Sequence, residues 1–400
     1  MTKIKWVPNK LPKTSNETLN IMSPEKVLKA ASFHKSFPQY TQTPLVKLDK
    51  MANFLGLKSL YVKDESKRFG LNAFKVLGGS FAIGSYIAKQ LGKDISELPY
   101  DILTSKETIE KFGQTTFFTA TDGNHGRGLA WAANKLNQKC VVFMPKGSSE
   151  VRLANIQKEG ATATIEEVNY DECVRMAMAA SAKVPGSVVI QDTAWEGYTE
   201  IPTWIMQGYG TMAMEANEQL KSDSCSAPTH IFIQAGVGSL AGAVQGYFAN
   251  VYPENPPTVI VVESNMADCI FRSAKANDGA VRIVSDDMQT IMAGLACGEP
   301  NTIAWDILKN NSSHFISCSD HVSAKGMRIL AVPLKGDPKV TSGESGAVTM
   351  GILFEIMKNS ELKDLKDALK LNENSKVLLF STEGNTDPDF YRKIVWNGEY

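Results

Sequence analysis

The sequence predicts an α/β fold built around a largely parallel sheet. Apolar β-type runs alternate with amphipathic helical segments, and several of the runs end in polar, glycine-containing loops. The runs predicted as strands are 59–65, 117–121, 140–145, 162–168, 187–193, 230–234, 258–264, 314–318 and 376–381. Helical periodicity is found in 151–160, 170–181, 240–252 and 348–360.

The bulk properties limit the class of protein. A chain of 400 residues is long enough for one large or two medium domains. A formal net charge of −1 gives no electrostatic reason to expect nucleic acid or an anionic membrane as a partner. No stretch approaches the ~20 apolar residues of a membrane span, and the polar segment 1–20 lacks the core of a signal peptide. The six scattered cysteines show no metal-binding spacing. We therefore expect a cytoplasmic enzyme without a metal site.

Four polar loops follow predicted strands and read TDGNHG, QDTAWEGY, QAGVGSLAG and STEGNTD. Ligands of open α/β sheets bind outside the carboxyl ends of the strands. The four loops together therefore predict a ligand site.

The loop QAGVGSLAG (234–242) has the composition of a phosphate-binding turn. Its glycines let the backbone approach a phosphate, and the following helix begins with unpaired N–H groups. A dinucleotide site with Glu263 on the ribose is an alternative, but the glycine spacing is one residue too long for it. Simple packing of a helix on a strand is a second alternative. A single phosphate is favoured.

Three charged residues in this pattern are candidates for catalysis. Lys75 lies in the apolar stretch RFGLNAFKVLGG, where loss of solvation would make its amine a good nucleophile, although most lysines are only solvated surface charges. Asp122 puts a carboxylate into a turn whose backbone would attract anions. Asp192 ends a predicted strand, where its alternative role is to form a turn or cap a helix.

The order of these motifs resembles the β-family, or fold type II, of pyridoxal-phosphate enzymes. The counterparts of that family's motifs are AFK (73–75), DGNH (122–125), AGVGSLAG (235–242) and TEGN (382–385). The resemblance implies two open, twisted, mostly parallel sheets flanked by helices, in a large and a small domain. It also implies pyridoxal 5'-phosphate as cofactor, with Lys75 as its Schiff-base lysine. The other implied cofactor-binding residues are Phe74, Asn124 (phenolic oxygen), Gly236, Val237, Gly238, Ser239, Leu240 and Thr382 (ring nitrogen).

Within that family, four segments resemble the ammonia-lyases that act on 2,3-diaminopropionate. They read KDESKRFGLNAFKVLGG, ATDGNHGRGLAW, QDTAWEGYTEIPTWIMQGYGT and MAGLACGEP. The resemblance implies an α,β-elimination that converts both enantiomers to pyruvate and ammonia. A serine or threonine dehydratase, or a related β-replacing enzyme, is the alternative. A ligand-binding protein that has lost turnover ranks lower.

The resemblance also implies roles for the substrate-binding residues. The turn formed by Thr121, Asp122, Gly123 and His125 would bind the substrate carboxylate. Asp122 and Asp192 would compensate the second ammonium, and Asp122 would face Cα opposite Lys75 as a second base. Glu383 stands where many members have glycine; directed at the ring nitrogen, it would replace Thr382 there.

The implied organisation is a large domain (1–95 and 193–400) and a smaller mobile domain (96–192). Homodimers are usual in the family, so we expect a homodimer. Cys269 and Cys297 could approach each other near the site, and their pairing is left open.

Overall fold

The computed structural model describes residues 4–121, 123–223, 225 and 227–400, and all structural statements below refer to these residues. The strands are β1 Ile4–Pro8, β2 Leu45–Lys47, β3 Ser59–Asp64, β4 Thr116–Ala120, β5 Lys139–Met144, β6 Thr162–Ile165, β7 Val188–Val189, β8 His230–Gln234, β9 Thr258–Ser264, β10 His314–Cys318 and β11 Lys376–Ser381.

The α-helices are α1 Pro24–Lys35, α2 Asp49–Leu55, α3 Val76–Gln90, α4 Tyr100–Leu103, α5 Lys106–Phe112, α6 Asn124–Lys135, α7 Glu150–Lys158, α8 Tyr170–Ala182, α9 Glu200–Ser222, α10 Ser239–Val251, α11 Cys269–Ala276, α12 Thr302–Asn311, α13 Asp320–Ala331, α14 Glu344–Lys358, α15 Lys363–Leu369 and α16 Pro388–Val395. Short 3-10 helices lie at Glu17–Met22, Glu65–Gly70, Ile95–Glu97, Ala293–Leu295 and Ser360–Leu362.

The chain divides into two compact units. The first consists of Met1–Pro24, Gln42–Lys67 and Met212–Tyr400, and the second of Glu25–Thr41 and Arg68–Thr211. The division expected from the sequence places its boundaries elsewhere, at residues 96 and 192. The mobility of 96–192 stays a prediction.

The first unit contains a seven-stranded sheet in the order β1-β10-β9-β8-β11-β3-β2. The two edge strands β1 and β2 pair antiparallel, and the five strands between them are parallel. Strand β8 (HIFIQ) is buried along its whole length, as expected for a central parallel strand that is covered on both faces. A core cluster of Leu60, Val62, Phe232, Ile260 and Leu379 from the sheet packs with apolar residues of α2, α13, α14 and α16.

The second unit contains a four-stranded parallel sheet in the order β6-β5-β4-β7. Buried residues alternate with more exposed ones along β5, so this sheet is covered less completely than the larger one. The two mostly parallel sheets flanked by helices confirm the predicted fold class.

The nine predicted strands all correspond to observed ones, with one large difference in length. The predicted strand 187–193 is reduced to β7, Val188–Val189. The physical reason is that beyond Ile190 the Gln191 side chain replaces the backbone as the partner of β4. The antiparallel edge strands β1 and β2 are not predicted, because their short runs carry little apolar periodicity. None of the described helices has the length and apolar content that spanning a bilayer would need.

Candidate active site

Lys75 lies immediately before helix α3, at the N-cap position. Its neighbours Phe74 and Val76 are buried, with 6% and 1% exposure. Helix α6 packs directly on this backbone: a Cβ at Gly128 would lie only 2.6 Å from the Val76 nitrogen and 3.0 Å from the Lys75 carbonyl carbon. Only glycine allows this approach, so α6 holds the backbone of Lys75 in place.

The Lys75 ammonium forms an ion pair with Asp192, and this pair brings together two predicted catalytic residues. The Lys75 Nζ also lies 5.6 Å from the ring centroid of Phe74 and 5.8 Å from that of Tyr209. The Tyr209 hydroxyl donates a 3.4 Å hydrogen bond to Asp192. An amine and a carboxylate thus face each other, and the amine lies beside two aromatic rings whose centroids are 4.7 Å apart.

Asp192 is an anion in this setting. Burial alone would raise the pKa of its carboxyl, but the adjacent Lys75 ammonium, the charge of His125 and the hydrogen bonds from Lys75 and Tyr209 hold that pKa at about 2. Burial raises the pKa of Tyr209, so its hydroxyl keeps the proton that it donates to Asp192. The arrangement can bind a cation and can exchange a proton with a group near Lys75.

The predicted substrate turn lies at the start of α6. The Thr121 hydroxyl oxygen accepts a 3.0 Å hydrogen bond from the Gly123 N–H. The buried His125 donates from Nε2 to the Ile190 carbonyl oxygen at 3.1 Å, because a carbonyl can only accept. Asn124 is the first residue of α6. Asp122, which the sequence predicts as a catalytic residue, lies outside the described residues.

In the first unit, the predicted phosphate loop leads from β8 into α10. Gly238 is the N-cap of α10 with φ of +97°, and no side chain caps the helix there. A Cβ at Gly236 would lie 3.2 Å from Leu295 Cα and 3.3 Å from the Gly294 carbonyl oxygen, contacts too close for the backbone to tolerate easily. Backbone N–H groups at an uncapped helix start form an anion site. The loop therefore fits the phosphate of the cofactor.

Asn301 holds this loop from behind. The Asn301 N–H donates to the Val237 carbonyl at 2.7 Å, and its side-chain amide donates to the Ser239 hydroxyl at 2.8 Å. Leu240, the last predicted residue of the loop, is in the first turn of α10. Asn301 was not predicted as a site residue, although it directly follows the motif MAGLACGEP.

Thr382 offers a neutral hydroxyl at the end of β11. Its Oγ1 accepts a 2.9 Å hydrogen bond from Gln234 Nε2, so its own hydrogen remains to be donated. Thr382 is 3% exposed. A buried hydroxyl donor suits an unprotonated ring nitrogen, and this donor set fits the cofactor.

Glu383 and Glu263 are the acidic residues that could have supported another ring-nitrogen partner and a dinucleotide site. Both carboxylates cap helices instead. The carboxylate of Glu383 accepts a 3.1 Å hydrogen bond from the Ser345 N–H in the first turn of α14. Glu263 accepts from the N–H groups of Ile270 at 2.9 Å and Phe271 at 2.6 Å, at the start of α11. Its role as a cap removes the support that Glu263 lent to a dinucleotide site.

Neither Cys269 nor Cys297 is in a disulfide, and the Cys269 sulfur donates to the Cys297 carbonyl oxygen at 3.6 Å. Burial raises the pKa of the Cys269 thiol well above its usual range. The two residues are neighbours, as the sequence suggested, but no disulfide joins them in this structure.

Known proteins resemble the chain over almost its whole length. Residues 37–382 match the family model described as pyridoxal-phosphate dependent enzyme. The diaminopropionate ammonia-lyase of Salmonella typhimurium is 54% identical over 368 residues, which are 92% of this chain and 91% of that protein. The crystal structure of holo diaminopropionate ammonia-lyase from Escherichia coli is 46% identical, with a TM-score of 0.92 over 100% of this chain and 98% of its own.

The Escherichia coli enzyme has also been solved with an aminoacrylate–pyridoxal-phosphate reaction intermediate, and that structure covers the same shares of the two chains with a TM-score of 0.89 at 46% identity. The chain therefore belongs to the pyridoxal-phosphate-dependent enzymes of fold type II, and within them to the diaminopropionate ammonia-lyases.

Proposed function

We propose that the chain catalyses the α,β-elimination of 2,3-diaminopropionate, in its D and L forms, to pyruvate and ammonia, with pyridoxal 5'-phosphate as cofactor. The observation that carries this function in the structure is the partly buried ion pair of Lys75 with an anionic Asp192. A buried carboxylate beside the cofactor lysine compensates the charge of the second ammonium group of the substrate. Serine has a neutral hydroxyl in that position and needs no such compensation.

Residues of several loops are candidates to hold the cofactor. Lys75 would link it covalently, with Phe74 beside it, and Asn124 would bind its phenolic oxygen. Backbone N–H groups at Gly236, Val237, Gly238, Ser239 and Leu240 would bind its phosphate. Thr382 would donate to the ring nitrogen. When bound, the cofactor supplies the electron sink that makes the Cα proton of the substrate acidic.

The proton transfers fall to the side chains of the second unit. A base, Lys75 or Asp122, removes the Cα proton; as the Cβ–N bond breaks, its electron pair leaves with the nitrogen as ammonia. Thr121, Gly123 and His125 would bind the substrate carboxylate. Asp192 would hold the β-ammonium before it leaves. Later hydrolysis by water releases pyruvate and the second ammonia.

The test is an assay of pyruvate release by the purified holoenzyme on D- and L-diaminopropionate and on serine. We expect a higher kcat/KM on both enantiomers of diaminopropionate than on serine. A preference for serine or threonine would make the chain a dehydratase instead. Absence of turnover by cofactor-loaded protein would support the non-catalytic alternative.

We also propose that the enzyme is a cytoplasmic homodimer in which residues 96–192 form the mobile smaller domain. This proposal rests on the family resemblance. Light scattering on the purified protein would give the mass, and twice 43.7 kDa is the expected value.

A further inference from the structure

The backbone pairing of β4 with β7 ends at Ile190, shortly before the candidate catalytic residue Asp192. The last backbone bond of this parallel ladder runs from the Ile190 N–H to the Phe118 carbonyl at 2.8 Å. In a regular parallel ladder the next bond would join the Ala120 N–H to the Ile190 carbonyl. Here the Ile190 carbonyl instead accepts from His125 Nε2. The backbone therefore leaves the ladder at Ile190.

The side chain of Gln191 takes the place of the missing backbone. Its Oε1 accepts from the Ala120 N–H at 3.1 Å, and its Nε2 donates to the Ala120 carbonyl at 3.0 Å. The same Oε1 accepts from the Thr119 hydroxyl at 2.9 Å, and Nε2 also donates to the Tyr170 hydroxyl at 2.5 Å. Gln191 is fully buried, and all four hydrogen-bonding positions of its amide are used.

The backbone of Gln191 is held as firmly as its side chain. Its N–H donates to the Tyr198 hydroxyl at 2.8 Å, and that hydroxyl donates to the Val189 carbonyl at 2.9 Å. The Trp195 ring stacks on Tyr198 with centroids 4.2 Å apart. The residue that follows in the chain is Asp192, so its direction is set by these bonds.

We propose that Gln191 is a positioning residue that aims Asp192 at Lys75 and at the same time holds the end of β4 that leads into the Thr121 turn. The Gln191 side chain takes the place of a strand beside Ala120. The backbone can therefore depart from the sheet while the N–H and carbonyl groups of Ala120 stay hydrogen-bonded. This inference rests on the proposed function and deepens it. By positioning Asp192, Gln191 makes the site prefer a substrate with a β-ammonium group to one with a β-hydroxyl group.

The test compares Gln191→Met with Gln138→Met. Both remove an amide of similar size from a side chain bonded to an end of the β4 segment. Gln138 accepts from the Thr115 N–H at 2.7 Å and donates to the Leu136 carbonyl at 3.0 Å, at the end opposite to the site. We expect Gln191→Met to lower the ratio of kcat/KM for diaminopropionate to that for serine about tenfold. Gln138→Met should leave the ratio unchanged.

A milder variant protects the test against misfolding. Tyr170→Phe removes only the hydroxyl that accepts from Gln191. It should shift the same ratio in the same direction, about threefold. An unchanged ratio in Tyr170→Phe and in any folded Gln191→Met, or an equal change in Gln138→Met, would overturn the proposal.

A second readout does not depend on turnover. Carbon-13 NMR of the cofactor-free protein, assigned with Asp192→Asn, follows the titration of Asp192. Its pKa, about 2 in the native chain, should rise in Gln191→Met because the carboxylate is no longer held against Lys75. An unmoved titration would also count against Gln191. The proposed function fails separately, when the native enzyme itself shows no preference for diaminopropionate over serine.

Discussion

At the carboxyl ends of both sheets, a glutamine side chain bonds to a neighbouring strand. The two ends differ in the charge of the side chains that they present. In the small sheet, Gln191 bonds to Ala120 where the backbone ladder between β4 and β7 ends. In the large sheet, Gln234 donates to the Phe380 carbonyl at 3.0 Å and to Thr382 at 2.9 Å, beyond the last paired residues of β8 and β11. In each case, a glutamine side chain lets a strand end diverge and still satisfies the neighbouring backbone.

The difference between the two ends is the charge that they present. The small sheet leads to the ion pair of Lys75 and Asp192, whereas the large sheet leads to the neutral hydroxyl of Thr382 and the uncapped start of α10. Acids of the first unit, Glu263 and Glu383, are bound to helix N-termini instead. The unit that we propose to move protons has titratable side chains at its candidate site, and the unit that we propose to bind the cofactor phosphate offers backbone dipoles.

The largest expected effect tests the charged end. Lys75→Ala should abolish turnover, by at least about 10³-fold, and remove the visible absorbance of the lysine-linked cofactor. The control is Lys89→Ala in the same helix, which breaks only an exposed pair with Glu200 and should leave both properties unchanged. A Lys75→Ala enzyme that keeps its colour and its turnover would show that another lysine holds the cofactor.

Asp192→Asn tests whether the second charge acts on the substrate. We expect kcat/KM on diaminopropionate to fall about 10²-fold, because the amide cannot compensate the β-ammonium. Serine, which lacks this ammonium, should be affected much less. Equal losses on the two substrates would assign Asp192 to the orientation of Lys75 rather than to substrate binding.

Asp122→Asn tests the proposed second base. In the proposed mechanism Asp122 is the base on the face of Cα opposite Lys75, so turnover of D-diaminopropionate should fall more than that of the L form, by about tenfold or more. Separate assays on the pure enantiomers measure this difference. The same loss on both enantiomers would show that the face-specific assignment is wrong.

The ion pair of Asp192 with Lys75 should also make the unfolding free energy of the cofactor-free protein decrease in acid. The pKa of Asp192 is depressed from 3.8 to about 2, which corresponds to about 2 kcal/mol of unfolding free energy. Because the folded pKa is the lower one, this contribution is present above about pH 4 and is lost as the pH falls towards 2. Urea unfolding at several pH values should show this loss in the native chain.

The matched variant for the acid measurement is Asp192→Asn. Its unfolding free energy should fall less steeply between about pH 4 and 2, because the depressed carboxyl has been removed. Identical pH dependence in the two proteins would mean that the ion pair with Lys75 does not persist in solution.

The smallest expected effect tests the neutral end. Thr382→Val should lower kcat about fivefold while cofactor binding is retained, because the ring nitrogen loses one neutral hydrogen bond. Thr382→Ser keeps the hydroxyl and should stay close to the native rate. A loss as large as that of Asp192→Asn would contradict the division between a charged and a neutral end.

Much of the fold and the family could be predicted from the sequence, because they depend on local order, whereas the roles of the candidate site residues stay predictions. Apolar runs predicted nine strands within a few residues, and the motif order around Lys75, Gly236 and Thr382 indicated the family. The short edge strands β1 and β2 escaped prediction, since their few residues carry little apolar periodicity.

The partners of the site residues depended on the tertiary structure. Sequence reasoning could name Asp192 but not its ion pair with Lys75, which lies 117 positions earlier. It could not distinguish Glu383 as a ring-nitrogen partner from Glu383 as a cap of α14, or show that Gln191 replaces a strand. Periodicity and motifs report what a segment is; hydrogen bonds between distant segments form only when the folded chain brings them together, and those bonds decide what each side chain does.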